Sequence, residues 1–141
     1  MIYYFLIKTK YYFFGDCMNK EQFQKVIEDI NEYEGVEEIF LLNSDGDIVY
    51  KSKEFPFTNE ESKALLDAWK NKKPSLIYQN NRYAILKNDD IQLAAKNIVG
   101  GKGNIAGSIT KEEDYLVIHT TQETGLILLE WSIFVNKIAW Q

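Results

Sequence analysis

Residues 75–121, SLIYQNNRYAILKNDDIQLAAKNIVGGKGNIAGSITKEEDYLVIHTT, decide the fold. Their apolar residues cluster in five short runs, 75–79, 82–87, 91–97, 104–110 and 115–121, of strand length and strand composition. Asn80-Asn81, Asn88-Asp89-Asp90, Gly100-Gly101-Lys102-Gly103 and Lys111-Glu112-Glu113-Asp114 separate them, residue types that accept turn geometry or hydrogen-bond their own backbone. The separators suit hairpins, so the runs are expected to form a consecutive antiparallel meander.

Upstream, the period lengthens. Thr58-x-x-Glu61 is a capping box ahead of Leu65, Leu66 and Trp69, and the helix it opens must stop before Pro74. Before that, runs 36–42 and 48–53 flank Asn43-Ser44-Asp45-Gly46-Asp47, whose Asp-Gly suits a tight turn, and read as a hairpin. Residues 19–34 place Phe23, Val26, Ile27, Ile30 and Tyr33 on one stripe, with Asn19 as N-cap, Gln22 three residues later and Gly35 as the stop. Downstream, residues 125–140 read as a strongly apolar closing helix opened by Gly125. The expectation is a single α+β domain over 18–141: a central antiparallel sheet of about six or seven strands with N- and C-terminal helices packed on it.

Residues 1–17, MIYYFLIKTKYYFFGDC, stand apart as an aromatic-rich extension holding seven of the twenty aromatics. Lys8-Thr9-Lys10 breaks its apolar run, which is too short for a membrane span and lacks a signal peptide's cleavage site. Met18 begins a well-formed helix signal, so the segment is read as preceding a natural start there, ahead of the alternatives of an added strand or a sticky contact.

The chain has 141 residues, a net charge of −5 and one cysteine. One cysteine excludes an internal disulfide framework or a multi-cysteine metal site, and points to a reducing, cytoplasmic setting. The acidity argues against general nucleic-acid binding, but it is uneven. Residues 18–69 carry −8, whereas 70–102 carry +5 through Lys70, Lys72, Lys73, Arg82, Lys87, Lys96 and Lys102.

Catalytic signals are sparse. His119 falls on a strand opposite Leu116 and Ile118, with no nucleophile implied beside it, and reads as a plain strand histidine. The Gly100–Gly103 loop lacks the spacing and the following helix of a phosphate-binding loop, and Asp45-Gly46-Asp47 is too short for a calcium loop. No catalytic residue, metal site or cofactor is expected.

The closing helix has more apolar surface than a sheet can cover. At 100° per residue, Ile127, Leu128, Trp131, Phe134, Val135 and Ile138 fill one arc and face the core. Leu126, Leu129, Ile133 and Trp140 fill a second, which a partner, the first helix or the N-terminal segment must cover.

These ordered features resemble the profilin family. Asn43-Ser44-Asp45-Gly46-Asp47-Ile48-Val49-Tyr50 is similar to its first hairpin, and Phe55-Pro56 then precedes a Glu-Glu helix start. Asn81–Lys87 resembles its Lys-Tyr-x-Val-Ile strand, and Lys96 with Gly100-Gly101 its basic strand and Gly-Gly turn. Tyr115–Thr121 and a helix opening at Gly125-Leu126-Ile127 follow in order. Its richness in lysine, asparagine and isoleucine is similar to that of the profilins of actin-bearing archaea. The resemblance implies a non-enzymatic, monomeric regulator of actin polymerisation in the cytoplasm and its cytoskeleton. It would bind actin monomers through Arg82, Ile85, Lys87 and Lys96 of the sheet and Gly125, Leu128, Leu129, Ser132 and Ile133 of the last helix. Lys87, Lys96 and Lys102 are the positions implied for phosphoinositides. The family's polyproline site is depleted: Lys20, Val49 and Lys137 stand where aromatics are expected, leaving Phe23 and Trp140, so weak or absent polyproline binding is expected. The alternative is a roadblock-type dimeric scaffold regulating a small GTPase, a family with only three strands after its second helix. A PAS-like sensor, which needs a buried pocket, is more remote.

Overall fold

The computed structural model describes residues 17–141, and the expectations for the preceding aromatic extension lie outside them. Helix α1 (Lys20–Ile30) leads into the hairpin β1 (Val36–Leu42) and β2 (Ile48–Lys51), and α2 (Asn59–Lys70) follows. The meander is β3 (Ser75–Tyr78), β4 (Asn81–Asn88), β5 (Gln92–Lys96), β6 (Asn104–Ile109) and β7 (Tyr115–Thr120), before the closing helix α3 (Leu128–Ala139). The seven strands form one antiparallel sheet in the order β2-β1-β7-β6-β5-β4-β3. Five strands after α2 exceed the three of the roadblock-type alternative.

Both early helices start where their capping boxes stand: Gln22 N donates to Asn19 Oδ1 at 2.8 Å, and Glu61 N to Thr58 Oγ1 at 3.2 Å. Two helix ends differ from expectation. α1 stops at Ile30 and not at 34, because Glu32 N and Tyr33 N bond back to Asp29 O and Ile30 O in a tightened turn. α3 begins at Leu128 and not at Gly125. Thr124 Oγ1 accepts from Leu126 N at 3.1 Å and from Trp131 Nε1 at 2.9 Å, which holds 124–126 as a turn, and Glu130 Oε1 accepts from Ile127 N at 2.9 Å. Ile127 is therefore the N-cap and is 67 % exposed, so it leaves the core arc assigned to it. Leu126 also lies outside the helix and packs on the core, so it leaves the second arc.

Strand alternation divides the apolar side chains between two cores. On one face Ile39, Leu41, Ala94, Ala106, Leu116 and Ile118 meet α1 and α3. On the other, Phe40, Leu42, Tyr83, Leu93, Ala95, Ile105 and Val117 meet α2 through Leu65, Leu66 and Trp69. The sheet curls around this second core until Tyr78 on β3 donates to Glu38 Oε1 on β1 at 2.6 Å, although four strands lie between them in the sheet order. No helix of the described residues is long and apolar enough to cross a membrane.

Candidate functional site

An irregularity in β4 sets the charge on the sheet surface. In a regular strand Arg82 and Lys87, five apart, point to opposite faces. Here Ala84 pairs with Lys96 and Ile85 with Ala95, but the next pair is Lys87 with Ala94. Leu86 is the extra residue of a β-bulge, which returns Lys87 to the face of Arg82 and Ala84. Ala94 belongs to the α1–α3 core, so Arg82, Lys87 and Lys96 all lie on the side of the sheet that carries α3.

α3 leaves that part of the sheet uncovered. It lies across β5, β6 and β7, anchored where Gln92 Nε2 donates to Ser132 O at 3.3 Å and Asn136 Nδ2 to Ser108 Oγ at 2.9 Å. Its other flank meets α1 and the turn after it, where Tyr33 lies edge-on to Trp131 and Phe134 at centroid distances of 6.1 and 5.1 Å. Helical rotation from the Ser132–Asn136 edge, away from α1, brings Leu129, Ile133 and Trp140 onto the flank that looks over β4. They are 54, 65 and 51 % exposed. α1 thus covers the opposite side of α3, and no described residue buries this second apolar arc. The basic face and the apolar flank adjoin.

The site residues expected from sequence separate accordingly. Arg82, Lys87, Lys96, Leu129 and Ile133 share the surface. Ile85 does not: it pairs with Ala95 and packs, partly buried, against the α2-side core. Leu128 and Ser132 face inward and are buried, and Gly125 lies in the turn before α3, its backbone N donating to Glu34 O at 3.3 Å. Lys102 is exposed in the loop after β5. Phe23 is only 3 % exposed and stacks on Tyr50 at 5.2 Å. A groove of about 400 Å³ between α1, the β6–β7 turn and the end of α3 has charged and aliphatic walls and no aromatic ring among its described lining residues.

Sequence reasoning missed Leu86 and Ile77, exposed beside the basic residues, and Ile98 and Val99 at the tip of the Gly-rich loop. Two apolar residues just before Gly100-Gly101, outside any strand, were the available signal for the last pair.

That loop is tethered from beneath by a polar cluster on the inner side of the curl. His119 Nδ1 lies 2.9 Å from Glu38 Oε1, and His119 Nε2 lies 2.8 Å from Lys102 O. Tyr83 Oη donates to the same Lys102 carbonyl at 3.2 Å. Burial works against charge on Glu38, yet the hydrogen bonds from His119 and Tyr78 prevail and hold its carboxyl below the usual range. Burial, reinforced by Glu38, pushes the Tyr83 hydroxyl up to about 12, so it remains a donor at neutral pH. The cluster connects β1, β3, β4 and β7 to the loop, and Tyr83 Oη also lies 3.2 Å from His119 Nε2.

No family model matches the sequence. Among curated proteins, the chain is 63 % identical over 123 residues to Loki profilin-3 of Lokiarchaeum sp. (strain GC14_75), covering 87 % of this chain and 99 % of that one. It is 29 % identical over 77 residues to Odin profilin of Odinarchaeota yellowstonii (strain LCB_4), covering 55 and 61 % of the two chains. Among solved structures, the LokiProfilin2/rabbit actin complex matches with a TM-score of 0.71 at 20 % identity over 86 % of this chain and 95 % of that one. Acanthamoeba castellanii profilin IB matches with a TM-score of 0.60 at 20 % identity, over 74 and 82 % of the two chains.

Proposed function

This chain belongs to the profilin family, and from that premise we propose that it binds actin monomers one to one and regulates their polymerisation, without catalysis of its own. It keeps monomers from nucleating and modulates filament elongation and nucleotide exchange, working as a cytoplasmic monomer associated with the cytoskeleton. The observation that carries this reading is the junction of an uncovered basic sheet face with an uncovered apolar helix flank. Arg82, Lys87 and Lys96 steer an acidic partner, and Leu129 and Ile133 supply the desolvated centre of the contact. Leu128 and Ser132 support that flank from beneath, and Ile85 buttresses β4 from the other face.

The groove between the terminal helices supports weak or absent polyproline binding. A rigid left-handed proline helix needs stacked rings, and Phe23, the aromatic retained on α1, is buried against Tyr50. Lys87 and Lys96 share their face with the actin surface, and Lys102 lies in the adjoining loop, so phosphoinositide headgroups binding there compete with actin.

Rabbit actin is a usable probe, since Loki profilin structures contain it. Reversing Arg82 and Lys87 together to Glu is expected to slow association about tenfold at low salt, and Leu129→Asp to speed dissociation. Stopped-flow binding and a polymerisation titration read both effects. Wild-type binding that neither change alters would place the actin surface elsewhere.

A further inference from the structure

Both ring nitrogens of His119 face acceptors. Nδ1 lies 2.9 Å from Glu38 Oε1, and Nε2 lies 2.8 Å from the Lys102 carbonyl oxygen. A carbonyl has no proton to give, and Glu38 Oε1 is a carboxylate oxygen that already accepts from Tyr78 Oη at 2.6 Å. A neutral imidazole has one N–H and satisfies one of the two acceptors, whereas an imidazolium has two and satisfies both. The register builds in the first contact, because Glu38 and His119 are direct partners across β1 and β7. Their side chains are only 13 and 15 % exposed, so water is a poor substitute for a missing proton.

Tyr83 completes a triangle. Its hydroxyl lies 3.2 Å from Lys102 O and 3.2 Å from His119 Nε2, and one O–H serves one acceptor at a time. While Nε2 carries a proton, ring and hydroxyl both donate to the carbonyl. When Nε2 is bare, the hydroxyl has a second acceptor beside it, and the ring lone pair faces the carbonyl oxygen with no proton between them. One ring proton therefore decides two hydrogen bonds to the loop.

We propose that His119, Tyr83 and the Lys102 carbonyl form a pH-operated latch on the loop between β5 and β6: the imidazolium holds it shut, and loss of the Nε2 proton to solvent turns the Tyr83 hydroxyl onto the ring and frees the carbonyl. Asn97 stays as the hinge, since its Oδ1 accepts from Lys102 N at 2.9 Å and its backbone N donates to Gly103 O at 3.0 Å. The loop it holds carries Ile98 and Val99, both exposed, two and three residues beyond Lys96 of the basic face. The latch does not depend on actin binding.

The ionisable groups facing the imidazole are Glu38 from β1, Tyr78 from β3 and Tyr83 from β4, while β6 pairs the apolar Ile105 with it. Lys53 acts on Glu38 and Glu37 on Tyr78 from farther off. Glu38 is held below the usual carboxylate range, and burial pushes both tyrosine hydroxyls up, Tyr83 to about 12. His119 is thus the member of the cluster left to change charge between pH ~5 and ~8. The shut form binds one more proton, so it is favoured below the midpoint of the ring and lost as pH rises through it.

The chain has one histidine, so NMR of the 141-residue protein reads its ring without ambiguity. A titration from pH ~5 to ~9 is expected to show both ring nitrogens protonated at the acid end and Nδ1 alone at the alkaline end. The Lys102 carbonyl carbon and the Gly103 amide nitrogen should move with the same midpoint as the ring. In His119→Gln, whose side chain does not titrate, those two resonances should stay constant. Tyr83→Phe should shrink their displacement while the ring still titrates, and an undiminished displacement would remove Tyr83 from the latch. A ring that keeps its last proton on Nε2, a Gly103 amide indifferent to the ring, or a response that persists in His119→Gln would each overturn the proposal. Should the variants fail to fold, the wild-type ring and loop resonances decide alone.

Discussion

Glu38 is the side chain on which the inner polar cluster turns. Its Oε1 accepts from Tyr78 and faces His119, so removing its charge leaves the imidazole and a buried hydroxyl with a weaker partner. Glu38→Gln is expected to cost about 1–3 kcal/mol at pH 7, read by urea unfolding. The folded pKa lies below the unfolded one, so this contribution is complete above the ordinary carboxylate value near 4.3 and disappears as pH falls through the lower folded value. Wild type and variant should converge in acid, and a constant gap down to pH 3 would show that the carboxylate charge is irrelevant. Gly103 is a second fixed point. Its φ is +97°, and a Cβ there would lie 1.8 Å from Thr120 O, so Gly103→Ala must displace the loop or the end of β7. A loss of roughly 3 kcal/mol or more is expected, or failure to fold, and an undiminished melting temperature would mean that the loop moves aside freely.

Element by element, legibility in the sequence followed how local the determining physics was. Both capping boxes, the Asp-Gly turn and the meander's separators are signals within four or five residues, and the strands fell within two residues of the expected runs. The β4 bulge was not legible, because it is set by pairing with β5: nothing in Asn81–Lys87 says that Leu86 is surplus until Ala94 and Ala95 are opposite it. That hidden step put Lys87 with Arg82 and sent Ile85 to the other face. On α3, the 100° rotation per residue assigns Leu126 and Ile127 to arcs they do not occupy, because both precede the helix, whereas Leu129 and Ile133 lie as helical geometry requires and Trp140 caps the helix end, half exposed. The helix thereby offers a paired test. Ile133→Asp is expected to leave thermal stability within about 0.5 kcal/mol of wild type while weakening actin binding. Leu128→Asp, which buries an unpaired charge one turn earlier, should cost about 3–5 kcal/mol and abolish binding only through loss of fold. Equal behaviour of the two variants would refute the division of the helix into a core side and a contact side.

At the scale of the whole molecule, net charge conceals the organisation. Residues 70–102 carry +5 on a chain whose total is −5, and the fold collects Arg82, Lys87 and Lys96 on one face beside α3. Association with an acidic partner should therefore weaken with salt despite the acidic pI, since short-range approach is governed by the facing patch. Raising ionic strength from 0.05 to 0.5 M is expected to slow association of the wild type with actin and to slow the Arg82/Lys87 charge-reversed form much less. Parallel salt profiles would assign steering to other residues.

The position of β1 between β2 and β7 has a consequence for how the chain is made. Residues 36–42 can form a hairpin with 48–51 almost as soon as they leave the ribosome, but their other neighbour, 115–120, is synthesised last among the strands. At ~5–20 residues per second, that edge waits several seconds with its amides and carbonyls unpaired. For that interval Phe40 and Leu42 sit on an incomplete sheet, and the nascent chain depends on the acidic stretch around them to discourage pairing with its neighbours.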